Sequence, residues 1–218
     1  SSANILAMKQ NSWSYSALTA FEQCPRRFYL TRETKQVPDT PGEAGLWGQT
    51  VHKHLEDRAR DGKKLPDTLR HLDPMISKLQ QAPGDTLVER RMTINPSFQP
   101  TDWRAKDAWC RSVVDIGKVH ERNAFLIDWK TGKYKPENAQ LELFAGMTFA
   151  VYPEVESVKT MFVWLKGDGP PTVQTVQREQ SSGIWQGFIE RVARLEAARI
   201  ENRWPPRPSG LCKKWCPV

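Results

Sequence analysis

The spacing of apolar residues predicts helices in the first third of the chain. Apolar positions recur every three or four residues after a candidate helix cap at Ser14 or Ser16. Pro25 disfavours the helical conformation for the residue before it, so we expect the helix to break at Cys24. The predicted helices therefore begin near Ser14 with a break at Cys24, run from about Leu46 to Gly62, and cover residues 66–82.

From residue 86 the pattern becomes that of strands. Three strands are expected in "TLVERRMTI", "AWCRSVVDIGKV" and "FLIDWK", with "HERNA" as a hairpin turn between the last two. A helix is predicted over residues 137–152, followed by the strands "SVKTMFVWL" and "TVQTVQRE" and by a long amphipathic helix from residue 181. This αβββαβ order predicts one α/β domain with a mixed sheet whose first strands are antiparallel.

The domain is expected to cover residues 11–218. Its core would span about 86–178, between N-terminal helices over 14–82 and a C-terminal helix and cysteine-containing hook over 180–218. Residues 1–10 are interpreted as a tag and a disordered start, with Met8 as the native first residue. No apolar run approaches the roughly 20 residues that span a bilayer, and the opening residues lack the features of a signal peptide, so we expect a cytoplasmic protein without membrane contact.

Composition adds a hint about partners. A chain of 218 residues with 39% hydrophobic residues is large and apolar enough to form a folded core. Its net charge of +7 is consistent with a polyanionic partner such as nucleic acid. Many soluble proteins are equally basic without such a partner, so the functional prediction depends on motifs.

Two predicted strands end in carboxylates that a hairpin would bring together. Asp115 ends "SVVD" and Asp128 ends "FLID". Because side chains alternate along a strand, Asp128 and Lys130 share one face and Trp129 points to the other. Convergent carboxylates suit Mg²⁺, which can activate water for phosphodiester cleavage while a lysine stabilises the developing charge. The alternative is that these are solvent-facing residues joined by a surface ion pair.

Several segments, in the same order, resemble the RecB-like branch of the PD-(D/E)XK nuclease superfamily. They are "SYSALTAFEQCPRRFYL", "GLWGQTVHKHLE", "VVDIGKVHERNAFLIDWKTGK" and "AQLELFA". The resemblance spans most of the chain and implies a restriction-endonuclease-like core. Two positions depart from the family pattern: Val114 precedes Asp115 where many members have proline, and Phe144 replaces a tyrosine and lacks its hydroxyl.

The resemblance also implies roles for individual residues. The ligands of one or two Mg²⁺ or Mn²⁺ ions would be His52, Asp115, Asp128 and the backbone carbonyl of Trp129. Lys130 would be the catalytic lysine, Glu89 a further acidic residue near the metal, and Gln140 a DNA contact or a support for the site. The alternative without a metal is that His52 is an exposed or internally hydrogen-bonded histidine. His54 is expected to be exposed.

Other DNA contacts are expected from residue type alone. Basic residues that would follow the phosphates are Arg26, Arg27, Arg90, Arg91, Lys133 and Lys135. Candidates for stacking on an unpaired base are Tyr15, Trp47 and Trp103.

Three cysteines suggest a second prosthetic group. Relatives in this branch join an early cysteine and C-terminal cysteines through a [4Fe–4S] cluster, and Cys24, Cys212 and Cys216 fall in those places. The resemblance places the fourth cysteine a few residues beyond Cys216. Zinc or reduced thiols are the alternatives, and Cys110 is expected to be a core residue.

Together these features predict a divalent-metal-dependent DNA exonuclease that acts at DNA ends in recombination, repair or phage DNA processing. No phosphate-binding loop of the G-x-x-x-x-G-K-[ST] type is present in the sequence, so no motor activity is expected. A single-strand annealing or other recombination protein is an expected partner, and the oligomeric state is open. The alternatives are a structure-specific or nicking endonuclease, an RNA-directed nuclease, and a DNA-binding module that does not cleave.

Overall fold

A computed structural model describes residues 12–167 and 169–218, so the predicted tag and disordered start over residues 1–10 lie outside the described residues. The α-helices are α1 (Tyr15–Gln23), α2 (Pro25–Phe28), α3 (Glu43–Asp61), α4 (Asp73–Gln81), α5 (Ala139–Val151), α6 (Ser181–Glu201) and α7 (Cys212–Trp215). A π-helical turn covers Tyr29–Glu33, and 3₁₀ turns cover Asp67–Leu72 and Arg178–Gln180. The strands are β1 (Asp85–Ile94), β2 (Cys110–His120), β3 (Asn123–Lys130), β4 (Ser157–Trp164) and β5 (Thr172–Gln177).

The ends of the helices follow local rules. The Ser14 side chain accepts a hydrogen bond from the Ala17 N–H and caps α1. Cys24 is extended, with φ −160° and ψ 104°, so α1 ends there as predicted. Gly62 ends α3 in the left-handed conformation, with φ 68°. Helix α3 begins at Glu43, earlier than expected. Its first turn is exposed and carries no apolar pattern, so the spacing of apolar residues could not reveal this start.

The sheet has the predicted mixed topology. The strand order is β1-β2-β3-β4-β5, and only the β3–β4 pair is parallel. Parallel neighbours need a crossover connection, and α5 provides it. The β2–β3 hairpin turns tightly, because His120 pairs with Asn123 and Glu121 adopts a positive φ of 52°.

Helices cover both faces of the sheet. One hydrophobic core joins α1, α5 and α6 to the sheet, with α5 buried around most of its circumference. A second core joins α3 and α4 to the opposite face, through residues such as Leu55, Ile116 and Trp129. Within the described residues, no helix has the length and apolar character needed to cross a membrane.

Candidate active site

Asp115 and Asp128 lie where β2 and β3 stop pairing. Ile116 and Ile127 form the last backbone pair before them. Beyond this pair the Asp115 carboxylate takes the place of a backbone acceptor: its Oδ2 accepts a hydrogen bond of 2.7 Å from the Trp129 N–H. The divergence of the two strands therefore opens a gap in which the two carboxylates lie side by side at one end of the hairpin.

The side chains of β1 exchange faces at Glu89. Leu87 and Met92 both pack in the α5–α6 core although they are five positions apart, so the alternation must be interrupted between them. Glu89 has φ 43°, a left-handed conformation that is rare for a residue with a side chain. As a result Glu89 faces α3, and backbone strain of this kind is concentrated at functional sites.

His52 reaches the gap from α3. Its Nδ1 donates a hydrogen bond of 2.8 Å to the Gly48 carbonyl, which leaves Nε2 directed at the Asp115 carboxylate, 3.3 Å away. The hydrogen bond that His52 donates to Asp115, together with the charge of Asp115, outweighs the effect of burial and raises the pKa of His52 to about 9. In the absence of a cation, the imidazole is therefore a charged partner of Asp115.

The close approach of α3 depends on Gly48. A Cβ at this position would lie 2.8 Å from the Thr131 Oγ1, in the turn that follows β3. The missing side chain lets α3 pack directly on that turn and brings His52 to the carboxylates. The Gly-x-x-x-His spacing thus has a physical basis in helix packing.

Lys130 lies at the other side of the gap. Its Nζ is 2.9 Å from the Asp128 Oδ2 and donates a hydrogen bond of 2.7 Å to the Gln140 Oε1 on α5. The ammonium also lies 4.6 Å from the centre of the Phe162 ring. Gln140 thus contacts the lysine from the neighbouring helix, and its role as a support for the site or as a DNA contact stays a prediction.

The Asp128 carboxylate is poorly solvated. Its Oδ2 is buried, and the Lys130 ammonium lies close to it, with Nζ 2.9 Å away. Burial and then the charge of Asp115 raise the pKa of Asp128, against the opposing effect of Lys130. A carboxylate held in this way would be stabilised by an additional cation.

Two glutamates complete the acidic cluster. Burial, followed by the charges of Asp115 and Glu56, raises the pKa of Glu89 to about 7. Glu56 is absent from the predicted site, although it lies one turn after His52 on the same helix. Its position i+4 to a candidate ligand is the signal that could have identified it.

These residues fit a hard divalent cation. The cluster offers carboxylate oxygens, one of them buried, and an imidazole nitrogen oriented through its other nitrogen. In the part of the chain that the structure describes, no three such side chains are already arranged at metal-binding distances. His52 and Lys130 instead neutralise the carboxylates.

The structure does not bring the predicted DNA contacts near α1 together with this cluster. Tyr15 packs against Phe188 and under Arg191 of α6, with its hydroxyl buried. Arg26 and Arg27 line a cavity at the end of α1, and Arg27 also pairs with an aspartate on the following loop. Their contacts with DNA stay predictions.

The three candidate cluster cysteines line a common cavity, but within the described residues they are not arranged at metal-binding distances. Cys24, Cys212 and Cys216 line one cavity, whereas Cys110 is buried in the core at the start of β2, as expected. The backbone N–H of Arg207 points at the Cys24 sulfur, 3.4 Å away. Burial acts to raise the pKa of the Cys24 thiol, but backbone N–H groups and the charge of Arg27 lower it below its ordinary value.

A carboxylate–lysine hairpin on a mixed α/β sheet, supported by a histidine from a flanking helix, defines the class of a nuclease. A model of the PD-(D/E)XK nuclease superfamily matches residues 12–218, and the chain belongs to this superfamily. The predicted resemblance is confirmed at this level, and the RecB-like branch stays a prediction.

A solved structure with low sequence identity shares the fold. A crystal structure named "Putative exonuclease" from Eubacterium rectale matches with a TM-score of 0.54 and 12% identity, over 97% of this chain and 90% of that chain. A protein named SSO0001 matches with a TM-score of 0.49 and 15% identity, over 95% of this chain and 83% of that chain. Curated protein sequences give no match.

Proposed function

We propose that this nuclease is a divalent-metal-dependent exonuclease that hydrolyses phosphodiester bonds at DNA ends, in recombination, repair or phage DNA processing. The main support is the convergence of His52, Asp115, Asp128 and Lys130, in which each carboxylate lies within 3.3 Å of a nitrogen of a histidine or lysine. The proposed location is the cytoplasm, and the proposed partner is a single-strand annealing or other recombination protein.

The side chains divide the work of the site. Asp115, Asp128 and the Nε2 of His52 would hold Mg²⁺ or Mn²⁺, together with the Trp129 carbonyl. When bound, such a cation supplies charge stabilisation for the phosphate and an acidified water. Lys130, kept in place by Gln140, would bind the phosphate oxygens and stabilise the charge that develops on them.

Glu89 has a separate part in this scheme. A pKa near 7 lets its carboxyl group hold a proton at neutral pH or release it, depending on the charges around it. Beside the cation it would be ionised and would add a further oxygen ligand or accept a proton from water.

Digestion of two DNA substrates tests the proposal. With Mg²⁺ or Mn²⁺, we expect cleavage of end-labelled linear DNA and none of covalently closed circles. Cleavage of circles would favour an endonuclease, and cleavage of neither by a protein that binds DNA would favour a module that only binds. An RNA of the same sequence, cut in preference to DNA, would overturn the DNA assignment.

Replacement of Lys130 tests the site itself. Lys130→Ala should lower kcat by about 10²–10³-fold while DNA binding changes little, because the lysine acts on the transition state. Lys159→Ala is the matched control, since Lys159 is an exposed lysine at the opposite end of the parallel strand pair. Full activity in Lys130→Ala would show that the site is assigned incorrectly.

We further propose that Cys24, Cys212 and Cys216 hold a [4Fe–4S] cluster. Their shared cavity and the N–H groups directed at the Cys24 and Cys212 sulfurs support thiolate ligation, and the fourth ligand would be another group. Iron, sulfide and zinc analysis of anaerobically purified protein tests this. About four irons per chain are expected; stoichiometric zinc, or a colourless protein without metal, would refute the cluster.

A further inference from the structure

Two arginines lie over one tryptophan on the β1–β2 hairpin. The guanidinium carbons of Arg91 and Arg111 are 5.1 and 5.5 Å from the centre of the Trp103 ring. In the strand register Arg91 pairs with Val113 and Arg111 with Thr93, so the two arginines are diagonal neighbours on the same face of the sheet. Contacts of this kind hold the guanidinium groups in fixed orientations.

This group faces the same side of the sheet as His52 and Glu89 of the acidic cluster, the side of α3, whereas Lys130 contacts Gln140 of α5 on the other side. After the exchange of faces at Glu89, Met92 and Ile94 point into the α5–α6 core, so Arg91 points to the side of α3. Strand geometry places Arg91 about 7 Å from Glu89 and Arg111 about 14 Å from Asp115 along their strands. The arginines therefore continue the α3 side of the candidate site along β1 and β2.

Neither arginine is neutralised within the described residues. Both lack a carboxylate within ion-pair distance there, and Arg111 donates a hydrogen bond only to the Ser12 hydroxyl, at 2.7 Å. The nearby Asp107 is engaged inside its own loop, where it accepts hydrogen bonds from Thr101 and Asn95. The two positive charges are thus available to an external anion.

Hydrogen bonds and aromatic contacts hold the loop that carries Trp103 in place. The Asn95 side chain accepts hydrogen bonds from the N–H groups of Ser97 and Gln99, and the Thr101 N–H donates to the Thr93 carbonyl. Phe98 anchors the loop against two core tryptophans. Trp103 is therefore presented on an ordered segment, which suits a fixed contact.

We propose that Arg91 and Arg111, oriented by Trp103, bind backbone phosphates of the DNA strand about two to four nucleotides from the scissile bond, on the basis of the spacing of phosphates along DNA. The proposal rests on the proposed nuclease function and specifies how its substrate is held. Because both guanidinium groups pack on its ring, Trp103 is a positioning residue and is not assigned a stacked base.

The salt dependence of DNA binding tests the proposal. Binding of labelled DNA is measured by fluorescence anisotropy at several salt concentrations, without cleavage, in the Lys130→Ala background. The two arginine variants are Arg91→Ala and Arg111→Gln; the glutamine keeps a donor for Ser12. Each variant should make the negative slope of log K against log salt shallower by about 0.7–0.9. Trp103→Ala should weaken binding about fivefold at fixed salt and leave the slope unchanged, because both charges remain; Trp103→Phe should restore part of the affinity.

Lys159→Ala is the control, because Lys159 also lies over an aromatic ring, that of Phe125, at the opposite end of the sheet. It should leave the slope unchanged. Arginine variants with the slope of the parent, or a Lys159 variant that loses as much slope, would overturn the proposal. Since no cleavage is needed, slope losses in these variants, combined with no nuclease activity in the unmodified chain, would support the phosphate contacts while refuting the nuclease.

Discussion

Gly48 offers a direct test of how α3 positions the active site. In Gly48→Ala the added Cβ would be 2.8 Å from the Thr131 Oγ1. It would be 3.8 Å from the Thr131 Cβ and 4.0 Å from the Thr131 Cγ2. The contact must lengthen by about 0.6 Å before it reaches an ordinary separation of 3.4 Å. The Thr131 side chain has to rotate, or α3 or the turn after β3 has to move.

Two opposing free energies determine the result. Alanine is more favourable than glycine inside a helix by about 0.5–1 kcal/mol, whereas overpacking costs about 1–3 kcal/mol. Thr131→Ala removes the clashing oxygen and leaves only the carbon at 3.8 Å. Gly48→Ala should therefore destabilise the wild type but stabilise the Thr131→Ala protein by about 0.5–1 kcal/mol, a coupling of about 1–3 kcal/mol.

A double-mutant cycle measured by urea denaturation of the metal-free protein provides the test. Activity gives a second readout, because a shift of α3 displaces His52 and a shift of the turn displaces Lys130, and misplacement by an ångström can cost about 100-fold in rate. Activity should be low in Gly48→Ala and should recover when Thr131→Ala is added. A coupling free energy below about 0.5 kcal/mol would refute this account of the glycine.

Two further predictions concern packing and charge away from the candidate site. Arg178 donates hydrogen bonds to four backbone carbonyls at and after the end of α5, so Arg178→Met should lower the free energy of unfolding by about 2–3 kcal/mol. As a control, Arg104→Met at an exposed position should change the free energy of unfolding by less than about 0.5 kcal/mol. Equal losses in the two variants would contradict the prediction. The hydrogen bond from Arg58 lowers the pKa of Asp73 despite the opposing effect of burial. The stabilisation of the folded state by this ion pair is therefore complete above the ordinary aspartate pKa and is lost as the pH falls through the folded-state pKa. The Tm difference between wild type and Asp73→Asn should thus be largest near pH 7 and shrink below about pH 4, and a constant difference down to pH 3 would exclude this origin.

Local sequence determined the order and type of the elements. The change from helical to strand periodicity, the cap at Ser14, the break before Pro25 and the stop at Gly62 act through residues a few positions apart, and each is found where it was predicted. The strand ends at Asp115 and Asp128 are also local features. The superfamily could be predicted for the same reason, because its motifs are short and come in a fixed order.

Only the tertiary structure decided how these residues meet. The left-handed backbone of Glu89 turns its carboxylate to α3, although its surroundings in the sequence are those of an ordinary strand. Glu56 becomes part of the acidic cluster through helix packing, and its charge acts on Glu89 across the fold. The contacts of Arg91 and Arg111 with one indole depend on strand register and a loop closure. Such placements arise from the packing of segments distant in the chain, which residue periodicity does not encode.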